Sequence, residues 1–132
     1  MAQAPTRQQV AGREAERAVV EGLEAAGWRT LATNLRVGRG ELDLVALDPG
    51  PPPELVVVEV RRRGRRDFGL AEETLDRRKR LALRRAIGNL QAMGALPDGT
   101  ALPRIPLRFD LVAVDVDAAG RRSVRHHRGV RL

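Results

Sequence analysis

The chain has 132 residues, 42% of them hydrophobic and 31% charged, which is the make-up of one ordinary folded domain and excludes both a disordered tail and a second separate core. The 24 Lys and Arg against 17 Asp and Glu leave a formal charge of +7, which favours a polyanionic partner, although a coding bias towards Arg would give the same excess without one. No cysteine is present, so disulfides and thiolate metal sites are excluded. No apolar run approaches the roughly 20 residues that span a bilayer. The expectation is a single domain over residues 1–132, with 1–5 disordered, in a soluble, cytoplasmic protein without membrane contact.

In chain order, Thr6 and Gln9 have the spacing of a capping box. Val19, Val20, Leu23 and Ala26 recur behind them at helical intervals until Gly27 stops the helix. Residues 28–35 and 41–47 read as strands around a tight turn at Gly38-Arg39-Gly40. The proline-rich segment 48–53 is excluded from regular structure, because proline lacks a donor and fixes φ. Residues 55–61 form an apolar, β-branched run suited to a strand covered on both faces. A basic stretch, 61–66, leads to a helix predicted from about Thr74, with Leu75, Ala82, Leu83, Ala86, Ile87, Leu90 and Met93 along one side. A loop over 94–106, a strand over 107–116 and an edge strand over 123–130 complete the chain. The order of helix, three strands, helix, two strands implies an α/β fold.

Charged residues fall where a core is expected. Glu16 lies at helical spacing from Val19, Val20 and Leu23, on the apolar stripe of the first helix; a Glu early in a helix also suits the macrodipole. Asp43 interrupts Leu42-Asp43-Leu44-Val45, and Glu59 interrupts Val57-Val58-Glu59-Val60. Carboxylates inside apolar strands are costly unless paired, hydrogen-bonded or bound to a cation. Arg61 shares a face with Glu59 and would neutralise it in an ordinary ion pair. Lys79 precedes Ala82, Leu83 and Ala86 at helical spacing; alternatively it snorkels from the end of the stripe. Taken together, paired carboxylates on neighbouring strands can hold a hard divalent cation through oxygen. A basic side chain beside them can assist a water in phosphodiester cleavage.

Asp43, a loop and then Glu59-Val60-Arg61 resemble the D…(D/E)xK signature of the restriction-endonuclease-like, or PD-(D/E)xK, superfamily. The likeness is closer to Holliday-junction-resolvase-like proteins and to the bacterial YraN, or UPF0102, family. It is carried by Gly12 with Glu16, Gly27-Trp28, Asn34, residues 40–45, residues 57–61, Lys79 and Arg108-Phe109-Asp110. The resemblance implies a three-layer sandwich, a central mixed β-sheet flanked by helices. It also implies Asp43 and Glu59 as ligands of Mg²⁺ or Mn²⁺, Glu16 as a further acidic member of the site, and a homodimer. One position departs from the pattern: the motif ends in Lys, and here Arg61 stands in its place. Lys can lose a proton when desolvated, whereas Arg stays charged, so Lys79 is the other source of an amine.

Beyond the catalytic set of Glu16, Asp43, Glu59, Arg61 and Lys79, a basic rim is expected from Arg62, Arg63, Arg65, Arg66, Arg77, Arg78 and Arg80, gripping phosphates bidentately. Aromatics make up only 2%, which leaves no stacking platform for single strands and favours duplex or branched DNA. His126 and His127 are adjacent in a strand, face opposite sides and are assigned to the surface. Three readings follow: a metal-dependent endonuclease-like protein acting on DNA, a nucleic-acid-binding module of the same fold that does not cleave, and an adaptor whose basic surface meets an acidic protein.

Overall fold

The computed structural model describes residues 3–63 and 75–132. The chain runs α1 (Arg7–Ala25), β1 (Arg29–Val37), β2 (Gly40–Asp48), β3 (Glu54–Arg63), α2 (Arg77–Met93), β4 (Leu107–Val116) and β5 (Arg122–His127). The strands form one sheet in the order β1-β2-β3-β4-β5. Neighbours are antiparallel except β3 and β4, which are parallel and joined through α2, because parallel neighbours need a crossover. The expected mixed sheet between helices is present. Of the segment expected to be disordered, residues 1 and 2 lie outside the described residues.

Two cores sandwich the sheet. Ala15, Val19 and Leu23 of α1 pack with Leu44, Ala46, Val56 and Val58 on one face. Leu83, Ala86, Ile87 and Leu90 of α2 pack with Leu42, Val45, Leu55 and Val57 on the other. β3 therefore buries both faces, as its unbroken apolar run requires. Ala82 and Met93, expected on the inner side of α2, are exposed. Ala82 lies one residue, about 100° of helix, away from Leu83, and the stripe that meets the sheet is narrower than the sequence pattern.

Both helices are capped by side chains. The Thr6 hydroxyl accepts from Gln9 N and the Gln9 side chain accepts from Thr6 N, completing the capping box. α2 starts at the N-cap Asp76, whose carboxylate accepts from Lys79 N at 2.8 Å, and so starts later than the sequence pattern implies. Thr74 lies outside the described residues; Leu75 is buried but precedes the helix. The cap satisfies an orphan amide of the first turn and places Lys79 in that turn.

Alternation breaks at the β1–β2 hairpin. Thr33 pairs with Leu44 and Leu35 with Leu42, yet Leu44 faces α1 while Leu35 and Leu42 face α2. Between them, Asn34 takes a left-handed backbone with φ 48°, which Asn tolerates better than other non-glycine residues. Asp43 occupies the matching switch point on β2.

Candidate functional site

The switch at Asp43 coincides with the end of β2–β3 pairing, whose last matched residues on that side are Leu44 and Val58. Continued one step, the antiparallel register would set Asp43 opposite Glu59. The strands part there instead, and Asp43 Oδ2 accepts from the backbone N–H of Val60 at 2.9 Å. The two carboxyl groups meet across this opening and share a hydrogen bond. Asp43 is half-buried and Glu59 is only 3% exposed.

Two cations face Glu59 Oε2: Lys79 Nζ at 3.2 Å from α2 and an Arg61 guanidinium nitrogen at 3.6 Å from β3. They do not keep Glu59 in the ordinary carboxylate range. Burial, reinforced by the neighbouring Asp43, pushes it up to about 8, against the pull of Lys79 and Arg61. Glu16 feels the same field from the α1 side. Burial and then the Asp43 charge raise its pKa, while a hydrogen bond with the Asn34 side chain lowers it. Glu16, Arg13, Arg17 and Asn34 are among the residues lining a groove of about 270 Å³.

Glu16, Asp43, Glu59, Arg61 and Lys79 thus form one electrostatic cluster where β2 leaves β3. Asn34 belongs with them as the partner of Glu16. Its place in the sequence pattern was visible, but its left-handed backbone was not.

The basic rim is only partly as expected. Arg62, Arg77 and Arg78 are exposed. Arg63 is 3% exposed, because alternate side chains of β3 point into the α2 core, and cannot lie on a rim. Arg80 is half-buried, with its guanidinium donating to the carbonyls of Leu75 and Arg131, so it ties down backbone. Arg65 and Arg66 lie outside the described residues. Among the described residues no group of three or more His, Cys, Asp and Glu has a metal-holding arrangement; the acidic centre is a pair.

A second polar network lies on the α1 side of the sheet, running along β4 from Asp110, opposite Val58, to Asp48 and Glu54 at the end of the β2–β3 ladder. Arg108 bridges Asp48, Glu54 and Asp110 at 2.8–3.0 Å. Asp110, fully buried, also accepts from Gly129 N at 3.0 Å and meets His126 Nε2 at 2.7 Å. Trp28 lies against His126 and under the guanidinium groups of Arg108 and Arg128. The surface assignment of His126 is therefore corrected: pairing opposite Val112 on β4 brings it to the α1 face and to Asp110.

Residues 15–114, from the middle of α1 through the acidic pair and α2 into β4, match the profile of the uncharacterised protein family UPF0102. The chain belongs to the UPF0102 family. A UPF0102 protein of Halorhodospira halophila is 44% identical over 104 residues, covering 79% of this chain and 76% of its own. One from Pseudomonas syringae is 42% identical over 113 residues, 86% of this chain and 85% of its own. A UPF0102 protein of Moorella thermoacetica is 36% identical over 110 residues, 83% and 84% of the two chains. The UPF0102 profile thus covers the whole frame that brings Asp43 and Glu59 together.

Proposed function

We propose that this protein is a metal-dependent, endonuclease-like enzyme that binds DNA, structured or branched DNA included, and hydrolyses phosphodiester bonds. It would do so on a restriction-endonuclease-like scaffold, in the cytoplasm and as a homodimer. The observation that carries this reading is the meeting of Asp43 and Glu59 at the β2–β3 opening, with Lys79 and Arg61 on the same Glu59 oxygen.

The donor set fits a hard cation. Two carboxyl groups close enough to share a hydrogen bond, one with its pKa raised to about 8, form a site where Mg²⁺ or Mn²⁺ would take the place of a proton. Magnesium uses one or two carboxylates and completes its shell with water and substrate phosphate, so a pair suffices. When bound, the cation would activate water and offset charge on the scissile phosphate. Lys79, reaching Glu59 from α2, is placed to give or take a proton at Nζ. Arg61 cannot lose its charge and serves as a phosphate clamp. Glu16, oriented by Asn34, offers an acceptor on the α1 side of the same opening.

The test is single-turnover cleavage of linear, flapped and four-way DNA with Mg²⁺ or Mn²⁺. Asp43→Asn and Glu59→Gln should abolish metal-dependent product while retaining DNA binding; Lys79→Met should reduce the rate at least 100-fold, on the order expected for a lost proton-transfer group. Arg61 in the motif lysine's place favours a second reading, a DNA-binding module that does not cleave. DNA binding with no metal-dependent product from any substrate would select it. An adaptor for an acidic protein would bind DNA with little salt dependence or not at all.

A further inference from the structure

A second groove, of about 370 Å³, lies between α2 and the β1–β2 turn, lined by Val37, Gly38, Arg39, Gly40, Ala82, Arg85, Ala86 and Asn89. Ala82 lies three residues, just under one turn, along α2 from Lys79, so the groove continues from the acidic pair along the same helix. Arg39 and Arg85 form no ion pair among the described residues, and no acidic side chain lines the groove. The packing fixes its shape: a Cβ added at Gly40 would meet the Ala86 Cβ at 3.1 Å. The turn is therefore seated on the helix, holding the Arg39 segment over the Arg85 face.

We propose that this groove is a backbone-phosphate subsite for duplex DNA, in which Arg39 and Arg85 grip one strand beside the acidic pair. The proposal rests on the nucleic-acid reading above and adds residues outside the expected basic rim. Two guanidinium groups without an ion pair among the described residues give the bidentate forks that phosphate oxygens accept. The Asn89 amide, within 3.3 Å of where a Gly38 Cβ would stand, adds a neutral donor. The alanine floor at Ala82 and Ala86 lets the sugar–phosphate chain approach without displacing a large side chain.

The experiment is fluorescence anisotropy of the full chain with a labelled DNA duplex across a salt series. The Arg39→Gln/Arg85→Gln double variant should bind about tenfold more weakly at moderate salt, and the slope of log affinity against log salt should fall by about 2, as two lost phosphate contacts require. Arg29→Gln/Arg104→Gln removes the same net charge at the opposite end of the sheet and should leave the slope nearly unchanged. Ala82→Glu, at an exposed helix position, should weaken binding by placing a carboxylate in the groove. Equal losses from the two double variants would reduce the effect to net charge and overturn the subsite. Unchanged affinity in Arg39→Gln/Arg85→Gln and Ala82→Glu, with wild-type binding intact, would overturn it while sparing the nucleic-acid reading. Absence of wild-type binding at low salt would overturn both.

Discussion

Two buried carboxyl groups on neighbouring strands, one residue apart in register and on different faces of one sheet, behave in opposite ways. Glu59, 3% exposed, is pushed up to about 8, whereas Asp110, fully buried, is held down at about 2. Burial raises both. The difference lies in what faces them. Asp110 receives hydrogen bonds from His126, Arg108 and the Gly129 amide, which together outweigh its desolvation. Glu59 faces a second carboxyl group, and its two cations stand at 3.2 and 3.6 Å. Fully donated acids hold a fold together; under the function proposed above, an acid set against another acid keeps a place for a cation.

The largest effect should come from breaking the satisfied network. Arg108→Met leaves Asp48, Glu54 and Asp110 without their shared cation and should reduce unfolding free energy in urea by about 3–5 kcal/mol. A loss below about 1 kcal/mol would mean that the network contributes little to folding.

Glu59→Gln should have the opposite sign. The raised Glu59 pKa means that the folded protein retains a proton which the unfolded chain releases above its ordinary 4.5. Wild-type stability should therefore fall as pH rises through the window from 4.5 to about 8. Gln cannot titrate, so the variant's relative stability should grow across that window, to on the order of a few kcal/mol above it. Chemical melts at several pH values would reveal it; a pH-independent difference would contradict the raised pKa.

Asp110 supplies a smaller effect at the acid side. Its folded pKa lies near 2, below the ordinary 3.8, so its contribution is present above 3.8 and lost as pH falls towards 2. That contribution is about 2 kcal/mol. Acid titration of Asp110→Asn should give a shallower decline than wild type, whatever the variant's starting stability. The smallest change is expected from Lys79→Met. Lys79 is 38% exposed and one of the groups lowering the Glu59 pKa. Its loss should move the alkaline decline to higher pH with little change in stability on the acid side, as carbon-detected titration of the Glu59 carboxyl would record.

Much of this contrast was legible from residue order, because hydrophobic periodicity sets both helices and all five strands and because carboxylates interrupting apolar strands stand out. The side of the sheet was harder. Alternation correctly puts Arg61 beside Glu59, but it cannot reveal that Asn34 and Asp43 sit at a switch where the hairpin changes faces. Helical spacing marks Lys79, yet the Asp76 cap decides that it stands in the first turn. The Arg108 network escaped because its members come from β2, β3, β4, β5 and the segment after β5, spaced too widely for any local pattern. Arg63 and Arg80 were misassigned for a simpler reason: composition counts a basic residue as surface, whereas the structure gives the first a core position and the second two carbonyl acceptors.

The irregularity in β1 has a consequence for assembly. Its register shifts between Thr30 and Ala32, and Asn34 turns its backbone left-handed, so this outer strand offers a distorted template to any incoming chain. The opposite border, β5, is six residues long and carries Arg122 and Arg125, ion-paired with Glu14 and Asp115, charged side chains that a strand laid alongside would have to crowd and desolvate. Both borders thus discourage growth by strand addition, the route by which open sheets polymerise. Strand addition being disfavoured at both borders, any self-association of this protein is expected at a helix or loop surface.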